Sequence, residues 1–378
     1  MKVLLIATVQ SHICQFHRPL AEILHAHGCE VHVAARDNLA EKNGLKLDFA
    51  DKVFNVPFER SPFSEKNIAA YKALKQIMEN EQYQVIHTNT PVGGVLGRLA
   101  ARKQRRNGCK VLYTAHGFHF YKNGPQKDWM IYYPIEKFMC RFTDRLITIC
   151  REDYDLAKAR FSVPAARIHG VGAKTEKFFK VTPEEKKQLR EQLKISEEQK
   201  IVLCVGELNA NKNQLQAIRA MQQVVKNVPE ACLYLAGNGN SKKVLEQAIA
   251  EAGLLEHVKL LGYRTDLHYY TKAADLIISC SKREGLGLNI IEGMLCGKPI
   301  VATANRGHRE LVMEGKNGYL VDIADADALA ARMTEILRDE GLAAQFGEAG
   351  CEIAQQYTDT AVKKEIEEIY NEIIFNRK

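Results

Sequence analysis

No stretch of the sequence approaches the roughly 18 to 20 uninterrupted apolar residues that a bilayer-spanning helix requires. The opening run Met1-Lys2-Val3-Leu4-Leu5-Ile6-Ala7 meets polar Thr8, Gln10 and Ser11 too soon for a secretory h-region. The ten cysteines include no Cys-x-x-Cys pair, which excludes the common zinc and thioredoxin patterns. Several, such as Cys204 within Ile201-Val202-Leu203-Cys204-Val205, sit where a reduced thiol serves as a small hydrophobe. Low-complexity segments and short internal repeats are absent. These absences point to the cytoplasm and a reducing compartment. With 46% hydrophobic and 26% charged residues the composition is that of a globular protein, which excludes disordered, collagen-like and coiled-coil chains.

A length of 378 residues suggests two domains. Short β-branched runs alternate with segments of helical period, the pattern of parallel sheets with crossover helices. Strands are expected at residues 2–7, 30–34, 84–87, 110–114 and 145–149. After a break at 170–182 they resume at 201–205, 232–236, 258–261, 276–279, 299–302 and 318–321. The expected fold is α/β, with two doubly wound, Rossmann-like parallel-sheet domains, 1–175 and 176–357, facing a central cleft. From Thr358 onward, Val362, Ile366, Ile369, Tyr370 and Ile373 fall at helical spacing, so a terminal amphipathic helix over 358–378 is expected to pack back on the first domain.

The net charge of +7 is unevenly divided: residues 1–174 carry +10 and the remainder −3. A basic half suits a polyanionic surface. Arg98, Arg102, Lys103, Arg105, Arg106 and Lys110 cluster on and after a helix expected to begin near Val92, followed by Phe118, Phe120, Tyr121, Trp129, Tyr132 and Tyr133. That combination points to peripheral attachment to an anionic inner-membrane surface. No nucleic-acid-binding motif accompanies the charge, so nucleic acid is not an expected partner.

The most informative segment runs from Arg283-Glu284-Gly285-Leu286-Gly287-Leu288 through Glu292 to Gly297-Lys298-Pro299. A strand, a glycine-bearing turn and a short helix follow one another here. Glycines at 285 and 287 let backbone N–H groups approach a ligand, and the helix N-terminus favours phosphate. A carboxylate before this nest, Glu284, and another inside the helix, Glu292, suit hydroxyls on both sides of a diphosphate, as in a nucleotide sugar.

This segment resembles the E-x7-E signature of retaining GT-B glycosyltransferases, specifically glycosyltransferase family 4. Gly262-Tyr263-Arg264-Thr265-Asp266 upstream and Arg306-Gly307-His308-Arg309-Glu310-Leu311-Val312 downstream are similar to that family as well. Phe16-His17-Arg18-Pro19, His116-Gly117-Phe118-His119-Phe120 and Tyr133-Pro134-Ile135-Glu136-Lys137 resemble the subgroup that builds bacterial exopolysaccharide and capsule. The resemblance implies that Glu284 contacts the donor sugar, Glu292 the ribose, the Gly285, Leu286, Gly287 and Leu288 backbone the diphosphate or sugar, and His116 the transferred sugar, with His119 its rival.

Lys212, in the loop after strand 201–205 that begins at Gly206, can neutralise a diphosphate and stabilise it as it leaves. The family places an arginine directly after this glycine; this sequence has Glu207, which is expected to turn aside and pair with Lys212 or another cation. Tyr263 and Arg264 are candidates for holding the base through their backbone. Ser11 and His12 are weaker candidates for the acceptor side, in a loop without the family's adjacent glycines. Asp325-Ala326-Asp327 opens a helical run and is expected to cap it, so no metal and no cofactor are expected.

The resulting expectation is a retaining glycosyltransferase that moves a sugar from a nucleotide-sugar donor, a UDP-sugar first among them, to a lipid-linked or oligosaccharide acceptor. The alternatives are a UDP-N-acetylglucosamine 2-epimerase-like isomerase and a non-catalytic nucleotide-sugar-binding protein.

Overall fold

The computed structural model describes residues 1–42, 44–122 and 124–375. The chain divides into two compact units, Met1–Gly172 joined by the segment from Asp359 onward, and Ala173–Thr358.

The first unit is built on β1 (Lys2–Val9), β2 (Glu30–Arg36), β3 (Lys52–Asn55), β4 (Val85–Asn89), β5 (Lys110–Ala115), β6 (Arg145–Thr148) and β7 (Ala165–Arg167). They form one sheet in the order β3-β2-β1-β4-β5-β6-β7, parallel throughout. β1 is buried from Val3 to its end, as expected of a strand covered by helices on both faces. Leu4, Ile6, Ile86 and Val111 meet Ala70, Leu74 and Met78 of the helix Lys66–Glu81 in the core.

The second unit uses β8 (Lys200–Val205), β9 (Ala231–Ala236), β10 (Val258–Gly262), β11 (Leu276–Ser279), β12 (Ile300–Thr303) and β13 (Gly318–Val321). The order is β10-β9-β8-β11-β12-β13, again all parallel. Its core joins Val202, Leu233, Ile278 and Val301 to Ala217, Met221 and Val224 of the helix Gln214–Asn227.

All eleven strands expected from the sequence are present. β3 and β7 were not expected, because they are short edge strands of four and three residues with little apolar character. The terminal segment forms the helix Asp359–Tyr370 and a π-helical turn, Asn371–Phe375. Both belong to the first unit. Val362, Ile369, Tyr370 and Ile373 are buried, and the Tyr370 hydroxyl bonds Nδ1 of His87 at 2.8 Å.

The membrane face expected around Arg98 takes another form. Arg98 is 1% exposed: its guanidinium donates to Glu136 at 2.8 Å and to the Gly94 carbonyl, and it lies over the Tyr113 ring. Arg105 is engaged by Asp144. Phe118 and Phe120 are core residues, packed with Phe161, Trp129, Tyr132 and Tyr133. Among the apolar groups that do reach the surface, Met130, Ile131, Ile135 and Phe138 share the helix Gln126–Met139. A basic run in the sequence thus conceals one arginine that is structural. Replacing Arg98 with Ala should destabilise the protein by about 3–5 kcal/mol in urea unfolding, because Glu136 is left as a buried unpaired charge. A change below about 1 kcal/mol would show that the Arg98–Glu136 pair does not carry the stability of this region.

Candidate active site

In the second unit, two loops at the carboxyl edge of the sheet are tied together. The loop after β8 is shaped by Asn209, whose side-chain oxygen accepts from the N–H groups of Asn211 and Lys212. Asn211 then donates to the Arg283 carbonyl, and its own carbonyl accepts from Lys282 N–H. This strap brings Lys212 Nζ to 2.6 Å from Glu284 Oε1. The Lys212 stem runs over Gly206, where a Cβ would stand 3.1 Å from its Cδ and Cε. Glu207 faces solvent with no ion pair among the described residues, so the cation partner expected for Glu207 belongs instead to Glu284.

The backbone from Glu284 to Gly287 then crosses the next loop at close range. A Cβ on Gly307 would fall 2.6 Å from the Leu286 carbonyl oxygen, so a larger residue there would push the turn away. Gly287, at φ 118°, precedes the helix Leu288–Leu295 in a conformation that glycine alone adopts without strain. Arg306 Nε donates to the Glu284 carbonyl and fixes the turn from the other side.

The two glutamates have opposite electrostatics. Burial pushes the Glu284 carboxyl up, but the Lys212 ammonium and hydrogen bonds from Lys212 and Ser281 outweigh it and hold the group below the usual carboxylate range. Glu292, in the second turn of the helix, makes no side-chain hydrogen bond among the described residues. Burial pushes it up to about 8. His308 was not singled out from the sequence, yet it lies against Gly287 and is fully buried. Its Nδ1 bonds the Thr303 carbonyl at 2.7 Å, its Nε2 has no hydrogen-bond partner among the described residues, and burial lowers its pKa to about 4. No local sequence pattern marks that environment.

Of the remaining donor-side candidates, Arg264 is engaged by Asp266 and lies over the Tyr270 ring, while Tyr263 follows the last residue of β10. The carbonyl of Gly262 accepts from Gly237 N–H, which ties the loops after β9 and β10 together. Asp325 caps the helix Ala326–Arg338 by accepting from Ala328 N–H, and Asp327 accepts from Gln223.

In the first unit, the segment expected as an open polar loop after β1 is a helix, Gln10–Phe16. Ser11 is buried on that helix rather than on an open loop: its backbone N–H donates to Asn38 Oδ1 and its Oγ accepts from Asn38 Nδ2. His12 is half-buried, and its Nε2 lies 3.2 Å from Nε2 of His116, which follows β5. His116 Nε2 is also 3.3 Å from Asn89 Oδ1. Burial lowers the His116 pKa to about 4, and burial together with the neighbouring histidines lowers that of His12 well below its usual value. Both imidazoles are therefore neutral at pH 7. His12 and His119 line a cavity of about 610 Å³ whose walls are largely apolar, including Val92, Leu96, Phe118, Ile131 and Ile135. His119 stacks at a tilt on Tyr132.

Residues 185–352 match the family model described as glycosyl transferases group 1, and residues 2–150 match that of the glycosyl transferase 4-like proteins. A Bacillus subtilis (strain 168) protein named as a glycosyltransferase, EpsD, is 41% identical over 372 residues, covering 98% of this chain and 96% of its own. The chain belongs to the group 1, GT4-like glycosyltransferases. It is a glycosyltransferase of GT-B fold. An Escherichia coli UDP-Gal:alpha-D-GlcNAc-diphosphoundecaprenol alpha-1,3-galactosyltransferase is 25% identical, over 90% of this chain and 89% of its own. Among solved structures, Anabaena HepE in complex with UDP superposes with a TM-score of 0.77 at 24% identity, over 98% of this chain and all of that one, which shows the shared fold. Among the described residues no helix is long and apolar enough to cross a membrane.

The raised Glu292 pKa gives a pH signature. Between its ordinary value of 4.5 and about 8, the folded protein keeps a proton that the unfolded chain has released, so this group makes stability fall as pH rises through that window. Glu292→Gln should be about as stable as the wild type at pH 4.5 and gain over it progressively up to pH 8.5, read from thermal unfolding midpoints. A difference that stays constant across the range would refute the assignment.

Proposed function

We propose that this glycosyltransferase is a retaining enzyme that takes a UDP-sugar as donor and builds a bacterial surface polysaccharide on a lipid-linked acceptor. The observation that carries the donor reading is the Lys212–Glu284 pair beside the Gly285–Gly287 turn and the helix N-terminus. An ammonium, backbone N–H groups and a helix dipole would serve a diphosphate there, with an ionised carboxylate, Glu284, on one side and a protonated carboxyl, Glu292, on the other for hydroxyls. The EpsD relative, the UDP-galactose donor and diphosphoundecaprenol acceptor in the name of the E. coli relative, and UDP in the HepE complex all support this reading.

In the proposed reaction the bond between the sugar's anomeric carbon and the diphosphate oxygen breaks, and UDP takes the electron pair. Lys212, the Gly285–Gly287 amides and the helix N-terminus stabilise that charge. The acceptor hydroxyl attacks the same face and gives its proton to the departing diphosphate oxygen, and no covalent nucleophile takes part. Glu284 positions the sugar hydroxyls, Glu292 holds the ribose, and His116 contacts the transferred sugar. The apolar cavity beside His12 and His119 would receive the lipid portion of the acceptor. The relatives are transferases by name, and nothing in the site favours an isomerase.

Donor binding should not depend on metal: UDP should raise the unfolding midpoint equally with and without EDTA. Lys212→Ala should weaken UDP binding at least tenfold, about 1.4 kcal/mol. Glu284→Gln releases Lys212, so it should keep or improve UDP affinity while losing turnover. Glu292→Ala should weaken UDP binding by roughly 2- to 13-fold near pH 7, the worth of a hydrogen bond made by a protonated carboxyl. Equal loss of UDP affinity in the two glutamate variants would contradict the assignment, and NMR detection of an inverted anomeric product would overturn the retaining reading.

The proposed membrane contact is the exposed stripe Met130, Ile131, Ile135 and Phe138, flanked by exposed Lys127, Lys137 and Arg141. Sedimentation with anionic vesicles should fall sharply when Met130 and Phe138 are both changed to Ser, and less when Arg106 is. The reverse ranking would return the contact to the Arg102–Arg106 helix.

A further inference from the structure

Three histidines gather at the carboxyl edge of the first sheet. His12 lies on the helix Gln10–Phe16, His17 caps that helix, and His116 follows β5. One ring nitrogen from each lies within 4.8 Å of the other two. The fold causes the convergence: β1 and β5 flank β4, so the segments that leave them meet above Asn89, the last residue of β4.

One feature of the cluster goes unexplained by hydrogen bonding. Nε2 of His12 and Nε2 of His116 stand 3.2 Å apart and share a single N–H···N bond, so the two rings already face each other across one ligand-sized gap. His17 is 6% exposed, and its Nε2 makes no hydrogen bond of normal geometry among the described residues; Asn89 is near enough only to favour its protonated form slightly. The neighbouring His87 differs, since both its nitrogens are engaged, by Tyr370 and Thr114.

We propose that His12, His17 and His116 form a binding site for a borderline divalent transition metal ion, with Zn²⁺ the probe. An ion at the roughly 2.0–2.1 Å of a zinc–imidazole bond, held by the two nitrogens 3.2 Å apart, would subtend an angle of about 103°, close to tetrahedral. The third nitrogen, within 4.8 Å, needs an approach of at most about 1.5 Å, within reach of a side-chain rotation. Three imidazoles and no carboxylate suit zinc, copper, nickel or cobalt rather than magnesium or calcium. His12 also lines the apolar cavity, so water can fill the fourth position. On binding, any proton on Nε2 of His12 or His116 moves to Nδ1, and His116 gives up its bond to Asn89. The ion is a ligand of the first unit rather than a participant in donor binding. If His116 contacts the transferred sugar, as the function proposed above has it, the ion occupies the nitrogen that contact uses and so inhibits transfer.

The test uses the full chain, stripped by a chelator and dialysed. Zn²⁺ titrated against a chromophoric competitor should bind one equivalent tightly, and Co²⁺ should give the intense visible bands of a four-coordinate site. His17→Gln and His12→Asn should each weaken binding at least tenfold, whereas His25→Asn, a change at an exposed histidine, should not. Circular dichroism checks that each variant is folded; should buried His17 not tolerate change, half-buried His12 decides. Equal Zn²⁺ affinity in the wild type and the folded cluster variants, or no binding at micromolar Zn²⁺, overturns the proposal. A second measurement separates the site from the function: Zn²⁺ should inhibit turnover of the wild type and spare that of His17→Gln. Tight binding without inhibition leaves the ion site standing and removes His116 from the donor sugar.

Discussion

Each sheet of this protein is parallel from edge to edge, and that constraint places the chemistry. In a parallel sheet every strand delivers its carboxyl end to the same edge, so the loops that follow are forced into one row. His116 follows β5, Lys212 follows β8, Tyr263 follows β10, Glu284 follows β11 and His308 follows β12. The crowding has a backbone consequence. Where loops cross, only the smallest residue fits: a Cβ on Gly237 would lie 2.0 Å from the Gly206 carbonyl oxygen. The glycine at 237 is here the condition for stacking the loops.

Within that row the two glutamates of the signature are separated by environment. Glu284 is tied to Lys212 and stays ionised; Glu292, one turn into the helix, has no cation and holds its proton near neutrality. The same residue type thus offers two kinds of hydrogen-bonding partner. The Lys212–Glu284 pair is also a resting arrangement: a diphosphate must compete with a carboxylate for the ammonium, and that competition favours a ligand that supplies hydroxyls to Glu284 in return.

The architecture and the donor-side residues were legible because periodicity and turn chemistry are local. The six strands of the second unit follow from apolar runs bounded by turns, and the placing of Glu284 before a helix and Glu292 within it follows from one glycine-bearing turn. What escaped is long-range. Arg98 reads as part of a basic surface run, and only the fold shows Glu136 beside it, 38 residues away. Glu207 was expected to pair with Lys212 or another cation because an unpaired carboxylate would repel a diphosphate, but the Asn209 and Asn211 straps deliver Lys212 to a residue 72 positions away. Ser11 was read on an open loop because helix Gln10–Phe16 is short and has no side-chain cap to announce it.

The return of the Asp359–Tyr370 helix to the first unit inverts the order in which the two units can be finished. The hydroxyl that serves His87 comes from Tyr370, 283 residues later. At a synthesis rate of about 5–20 residues per second, roughly 14 to 57 s pass between the two. The whole of Ala173–Thr358 emerges from the ribosome in that interval. The first unit to begin is therefore the last to close, and through the wait its nascent sheet carries an uncovered apolar seam and a histidine still lacking the hydroxyl it will bind.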